Sequence, residues 1–536
     1  MGWLTKRLPK KRWKRVAVYA GSTFLVVLAA DMALTRVWRG IKISRETTYI
    51  TSPLNAAGTP DYSAWLNEKM GQGATPENNA AVPIIRALGT SVLSLSSSQE
   101  WQEAVLKRVG LPGASLPAKL TVFPEWAKTH ASGDEKPGVA TQRNGASAGG
   151  PELTNQEAQM LAAPWKAAEH PLWAQWLESQ KDALALAHEA AGRTHCFFPL
   201  EAGSARDQPG EMIMILFPAL GQIRYLGNML LAEAQMHAGD ADKTVFINDV
   251  IDALKYASLL TGHPIVIEHL VGVVLERDAC KAVLAALGGE EDGGHGGGGE
   301  AAQGAGFHAA DARRLLAAME TVPAIGPLDF EGERCEMLDV WCYEAVFGFA
   351  HSPLGKVAQP ALAPVFSLVT PIHFNAQMRE INDGFNHLEE AQRIPSYARR
   401  IEAVRVAQTE LYSLGKKLVF HFSGVDRVTD DTWLARTSDG LESAAMQREL
   451  TRVALALAVY KQETAEYPAA LEALVGAGRV LTEIPKDGFT DLPLKYRRDG
   501  AGYVLYSVGG NLKDDGGDGK VDDKGATLDI VVRMTH

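Results

Sequence analysis

Residues 218–261 read PALGQIRYLGNMLLAEAQMHAGDADKTVFINDVIDALKYASLLT, and their periodicity decides the fold class. Leu226, Leu230, Leu231 and Ala234 recur at helical spacing and form one apolar face. Val250, Leu254, Ala257 and Leu260 do the same in the following stretch. Gly239 and Gly262 stand where each helix must stop, and Asp240 is the expected cap of the second. The spacing therefore predicts helices over 218–238 and 241–261, joined by a short turn. The same pattern predicts helices over 171–191, 264–287, 307–321, 327–348, 373–392 and 395–415. Short connections between such helices make neighbours antiparallel. The chain is expected to be mainly α, a bundle or array of helical hairpins.

The pair 218–261 resembles a tetratricopeptide-type hairpin. No matching 34-residue period recurs, so an irregular helical array is the preferred expectation. Toward the N-terminus, Asp61 is read as opening a short helix with Trp65 and Leu66, and Thr75-Pro76 as starting another. That places Asn78 and Asn79 on a solvated helical turn. Thr154 with Glu157 has the spacing of a capping box. Residues 131–151 read as a surface loop, and 288–306, GGEEDGGHGGGGEAAQGAG, as a flexible linker in which His295 is solvated. Residues 353–372 are apolar but interrupted by Pro353, Pro360, Pro364 and Pro371, so they read as an irregular buried segment.

One stretch is long and apolar enough to cross a bilayer: Val16 to Leu34, about 30 Å as a helix. Lys6, Arg7, Lys10, Lys11, Arg12, Lys14 and Arg15 precede it without an acid among them. That cluster is expected to stay cytoplasmic, leaving the C-terminus outside. The best small-residue cleavage pattern is Val27-Leu28-Ala29, and Ala-x-Ala is absent, so the run reads as an uncleaved anchor rather than a signal peptide. The anchor and the segment over 50–89 resemble those of a large group of uncharacterised, signal-anchored bacterial proteins. The resemblance implies a location, a single pass through the bacterial inner membrane with a periplasmic body, and no activity.

Net charge is −11 although the first fifteen residues are basic, so the remainder is more acidic still. An acidic body excludes a nucleic-acid partner. The four cysteines, Cys196, Cys280, Cys335 and Cys342, are too few for a disulfide framework. Cys335 and Cys342 lie two helical turns apart, about 10 Å, and read as small buried residues.

Catalytic spacings are scarce. His263, Glu268 and His269, in HPIVIEHL, are enzyme-like in composition but match neither H-E-x-x-H nor H-x-x-E-H. Glu268 and His269 read as polar positions of a partly buried helix. His195-Cys196 places a thiol beside a base, with no further partner at a diagnostic spacing, so a buried cysteine is the expectation.

The C-terminal part is the most informative. Leu450, Val453, Ala454, Leu457 and Tyr460 share a helical face. Strands are expected at Leu494–Arg497, Tyr503–Ser507 and Asp529–Arg533, the first two around the Asp499-Gly500 turn. LAVYKQETAEYPAALEALV (457–475), IPKDGFTDLPLKY (484–496), YSVGGN (506–511) and the late LDI (528–530) resemble the globular head of the major pseudopilins of type II secretion. The resemblance implies a small α+β head with a three-stranded antiparallel sheet over 441–536. It also implies a calcium ion held by Asp529 with one or more of Asp514, Asp515 and Asp518. The acidic loop is not an EF-hand, since Gly516 and Gly525 fill two of that loop's ligand positions. Gly488 stands where the family usually has proline.

Seven segments follow: a basic tail (1–15), an anchor (16–34), a membrane-proximal segment (35–150), helical hairpins (151–287), the linker (288–306), a second helical region (307–440) and the head (441–536). The expected function is binding or scaffolding at the bacterial cell envelope, with envelope or secretion proteins as partners. The alternatives are a metal-dependent envelope hydrolase using His263 and Glu268, or an accessory component of a type II-like secretion system.

Overall fold

A computed structural model describes residues 41–93, 99–113, 116–130, 155–201, 212, 220–290, 308–347, 374–416, 433–476, 479–520 and 528–535. Among the described residues no helix is long and apolar enough to cross a membrane. The anchor at 16–34, Thr154, His295 and the proline-rich 353–372 lie outside them.

The architecture is mainly helical, as the periodicity predicts. Its helices are α1 (Tyr62–Met70), α2 (Ala81–Leu88), α3 (Gln99–Arg108), α4 (Phe123–His130), α5 (Asn155–Ala162), α6 (Pro171–Ser179) and α7 (Lys181–Ala191). Then come α8 (Leu220–Gly239), α9 (Lys243–Thr261) and α10 (Val266–Ala286). A two-residue strand β1 (Gly289–Glu290) precedes α11 (Ala309–Thr321), α12 (Glu331–Phe347), α13 (Phe374–Gln392) and α14 (Tyr397–Lys416). The chain closes with α15 (Trp433–Thr464) and strands β2 (Lys495–Asp499), β3 (Gly502–Ser507) and β4 (Ile530–Met534).

Three local expectations are corrected. The cap of α9 is Asp242, whose carboxylate accepts from Val245 N, whereas Asp240 accepts from Ala167 N. Thr75-Pro76 forms a turn, and α2 begins only at Ala81. Asn79 is buried rather than solvated. Glu157 is buried and accepts from the Tyr225 hydroxyl, while Thr154, its expected capping partner, lies outside the described residues. Asp61 does cap α1, accepting from Ala64 N at 2.8 Å.

Helices α8, α9 and α10 pack as consecutive hairpins, and the approach of α10 to α9 is close. A Cβ on Gly272 would lie 2.7 Å from the Ala257 carbonyl, so only glycine permits this crossing. The four-stranded antiparallel sheet has the order β1-β4-β3-β2. Its three C-terminal strands match the expected ones. The fourth is a correction: the first residues of the glycine-rich linker pair with the chain's end, Gly289 opposite Met534. Leu505, Val532 and Met534 face the helices, and Val504, Tyr506 and Val531 form a small cluster on the other side.

Two apolar cores result. The larger joins α2 through α11 to the inner face of the sheet. The smaller joins the 41–70 segment to α12, α13 and α14. Helix α15 belongs to both: Leu434, Leu441 and Ala444 lie in the smaller core, Leu450, Val453 and Leu457 in the larger. Its 32 residues span about 48 Å. At its middle Arg448 is buried, bonded to Glu276 Oε1 at 2.7 Å, to the Val322 carbonyl at 2.6 Å and to the Met319 carbonyl. Residues after the anchor region are also fixed: Tyr49 OH donates to Glu331 at 2.7 Å, and Asn382 Nδ2 donates to the carbonyls of Glu46 and Thr47.

Candidate active site

Beyond α7, His195 pairs with Asn79 as a parallel bridge, and among the described residues no strand runs beside 196–200. Two asparagines replace one. Asn79 donates to the Phe197 carbonyl at 3.0 Å and accepts from Phe197 N at 2.8 Å. Asn67 does the same for Leu200, both bonds at 2.7 Å. Each amide side chain thus supplies one donor and one acceptor, as a neighbouring strand would. Cys196 directly precedes the first clamped residue, Phe197.

Opposite it lies the connection from α9 to α10. Gly262 ends α9, Pro264 precedes α10, and His263 is held between them. Glu268, in the first turn of α10, is hydrogen-bonded to His263 Nδ1. Both side chains are buried, 8% and 4% exposed. The Cys196 thiol lies beside the imidazole and, with Glu268, pushes its pKa up. With Nδ1 taken by Glu268, Nε2 is the nitrogen left to receive the thiol proton. Burial alone would lower the His263 pKa. The Glu268 charge and the thiol contact outweigh it and hold the imidazole well above its ordinary value.

Cys196 and His263 line a cleft of about 680 Å³. Lys69, Arg193 and Lys255 share its wall with Asp329. His195, the neighbour that the sequence suggests as base, contacts Thr194 instead. His269 is buried, which pushes its pKa down, and its Nε2 has no hydrogen-bond partner. His263 and Glu268 therefore do converge, but on a thiol rather than on a third metal ligand. Nothing local links Cys196 to residues 67 and 72 positions away, so no spacing rule finds the trio.

The first turn of α10 is held by Glu333, which accepts from Val266 N at 2.8 Å. Its other oxygen is shielded and without a partner. Burial raises Glu333 from 4.5 to about 8, and Glu336 to about 7. Because both carboxyls hold their protons more tightly in the fold, their stabilisation is complete below pH 4.5 and is lost as pH rises through 7 to 8. Glu333→Gln keeps the acceptor for Val266 N and removes the charge. Urea titrations should show the variant more stable than the wild type at pH 9, by on the order of 3 kcal/mol, and near parity at pH 4.5.

The four residues expected to hold calcium lie in the last loop. Asp529 is buried, accepting from Gly517 N at 2.6 Å and from Asp515 N at 3.5 Å. Asp514 accepts from Tyr506 OH and faces Lys495 Nζ at 3.2 Å. Asp515 accepts from Asn511 Nδ2, and Asp518 from Lys520. Asp515, Asp518 and Asp529 are thus bonded within the loop, and Asp514 to side chains of β2 and β3. Gly488 is needed where it stands: its N–H donates to Met446 Sδ, which proline could not do, and a Cβ there would overlap Glu442.

No protein-family model, no curated protein and no solved structure matches this chain.

Proposed function

We propose that the cleft performs thiol-dependent acyl transfer to water. One observation carries the reading: His263, bonded to a buried carboxylate, shares the wall of an open cleft with the Cys196 thiol. In this scheme Cys196 Sγ attacks the carbonyl carbon of an ester, thioester or amide while His263 takes the thiol proton. His263 then gives that proton to the departing alcohol, thiol or amine. Water, deprotonated by the same imidazole, breaks the sulfur–acyl bond and releases the acid and the free thiol. Glu268 fixes the ring and stabilises it when charged. Lys69, Arg193 and Lys255 at the wall already face the carboxylates of Glu331, Glu189 and Asp252, so the wall selects no charge of the acyl group. A panel of short acyl thioesters with neutral and carboxylated chains tests this. The reading falls if no member is hydrolysed faster by the wild type than by Cys196→Ala.

The same proposal puts the protein in the bacterial inner membrane through 16–34, with its body periplasmic. A second reading, binding or scaffolding of envelope or secretion proteins, is supported by a shallow groove between α13 and α14. Val406 stands 52% exposed there, among Ile394, Ala398 and Ala403. Calcium in the last loop belongs with that reading and rests on the pseudopilin likeness.

A further inference from the structure

We propose that His188, Glu233 and Asp249 bind a borderline transition-metal dication of the zinc type. The residues come from three helices: His188 from α7, Glu233 from α8 and Asp249 from α9. Among the described residues they form a group whose ligand atoms all lie within 4.8 Å of one another. His188 Nε2 is 3.1 Å from Glu233 Oε2 and 3.9 Å from Asp249 Oδ1. Ligands about 2.0–2.1 Å from a tetrahedral zinc stand roughly 3.4 Å apart, so the two separations bracket the required edge.

Two further side chains stand where outer partners of a metal site belong. Asp252, one turn along α9, accepts from His188 Nδ1 at 2.8 Å, which leaves Nε2 facing the two carboxylates. His237, four residues after Glu233, bonds the far oxygen of Asp249 at 2.6 Å. A ligating histidine with its second nitrogen on a carboxylate has a fixed tautomer and orientation. One imidazole and two carboxylates leave a coordination position for water, and the imidazole selects against calcium and magnesium. The position is half-buried, with Asp249 the most enclosed at 6% exposure. The spacings E-x-x-x-H in α8 and D-x-x-D in α9 carry this cluster in the sequence.

The site is separate from the cleft. Asp249 and Thr261, the last residue of α9, are twelve residues apart, roughly 18 Å, and His263 lies beyond that end. A bound ion would join α7, α8 and α9 behind the cleft without touching the thiol. The competing account is an ion-pair network that fastens the same helices and takes up no metal.

Zinc chloride titrated into the full-length, EDTA-treated chain separates the two. Calorimetry and retained-zinc analysis should find one zinc per chain, with a Kd below about 10 µM and a raised melting temperature. Glu233→Gln and Asp249→Asn keep shape and remove ligand charge, and each should raise Kd at least about 100-fold. Asp252→Asn should raise it about 10-fold. Asp514→Asn, in the distant loop, should leave it unchanged. The proposal is overturned if no stoichiometric zinc is retained, or if both carboxamide variants bind it as tightly as the wild type. Circular dichroism confirms that each variant is folded.

Discussion

Iodoacetamide should alkylate Cys196 at least about 100-fold faster than the other three cysteines, read by peptide mass spectrometry. All four thiols are free. Cys196 is 9% exposed at a cleft, while Cys280, Cys335 and Cys342 are at most 1% exposed. Burial pushes the Cys280 thiol up to about 12 and the other two well above the thiol range. Only Cys196 has an imidazole to take its proton. Glu268→Gln removes the charge that stabilises the imidazolium formed when His263 takes the thiol proton, and should slow alkylation of Cys196 about 10-fold without affecting the rest. For a cleaved acyl thioester, Cys196→Ala should lower kcat/KM by about 10³ or more, the scale lost with a nucleophile. Equal labelling of all four cysteines would reduce the trio to a buried hydrogen-bond network.

The largest stability effect is expected at Arg448. Arg448→Met leaves Glu276 buried with neither oxygen bonded, because its Oε2 already has no partner. The carbonyls of Met319 and Val322 lose their donor as well. Removing one partner of such a buried pair costs about 3–5 kcal/mol, measured as a fall in the urea midpoint. Adding Glu276→Met removes the stranded carboxylate and should return part of that loss. The remainder belongs to the carbonyls, at about 1–3 kcal/mol each for a shielded group left unbonded. If the double variant is as unstable as the single one, the carbonyls rather than the ion pair hold the junction.

Physical reasons separate what the sequence discloses here from what it hides. Helices α8 to α10 announce themselves because one face of each is continuously apolar. Strands β2 to β4 do so because alternation and the Asp499-Gly500 turn coincide. Strand β1 carries no alternation, only Gly289 and Glu290, and exists because the edge of β4 offers it backbone partners. Asn79 and Asn67 look like surface residues, since their work is done on a segment more than a hundred positions away. The trio Cys196, His263 and Glu268 hides for the same reason, except that its last two members are near neighbours in HPIVIEHL. The zinc-type cluster was within reach of helical spacing alone, but its acids and histidines sit among many others.

Helix α15 sets a limit on how the C-terminal end can be treated as a unit. It lends one wall to each of two interiors, so a cut inside it opens both. A fragment beginning at residue 441 would keep strands β2 to β4 but lose the packing of α15 against α10 and α11, and would be expected to aggregate when expressed. The C-terminal sheet is therefore no accessory that could be lent to another scaffold; the helix before it is the central beam of both cores.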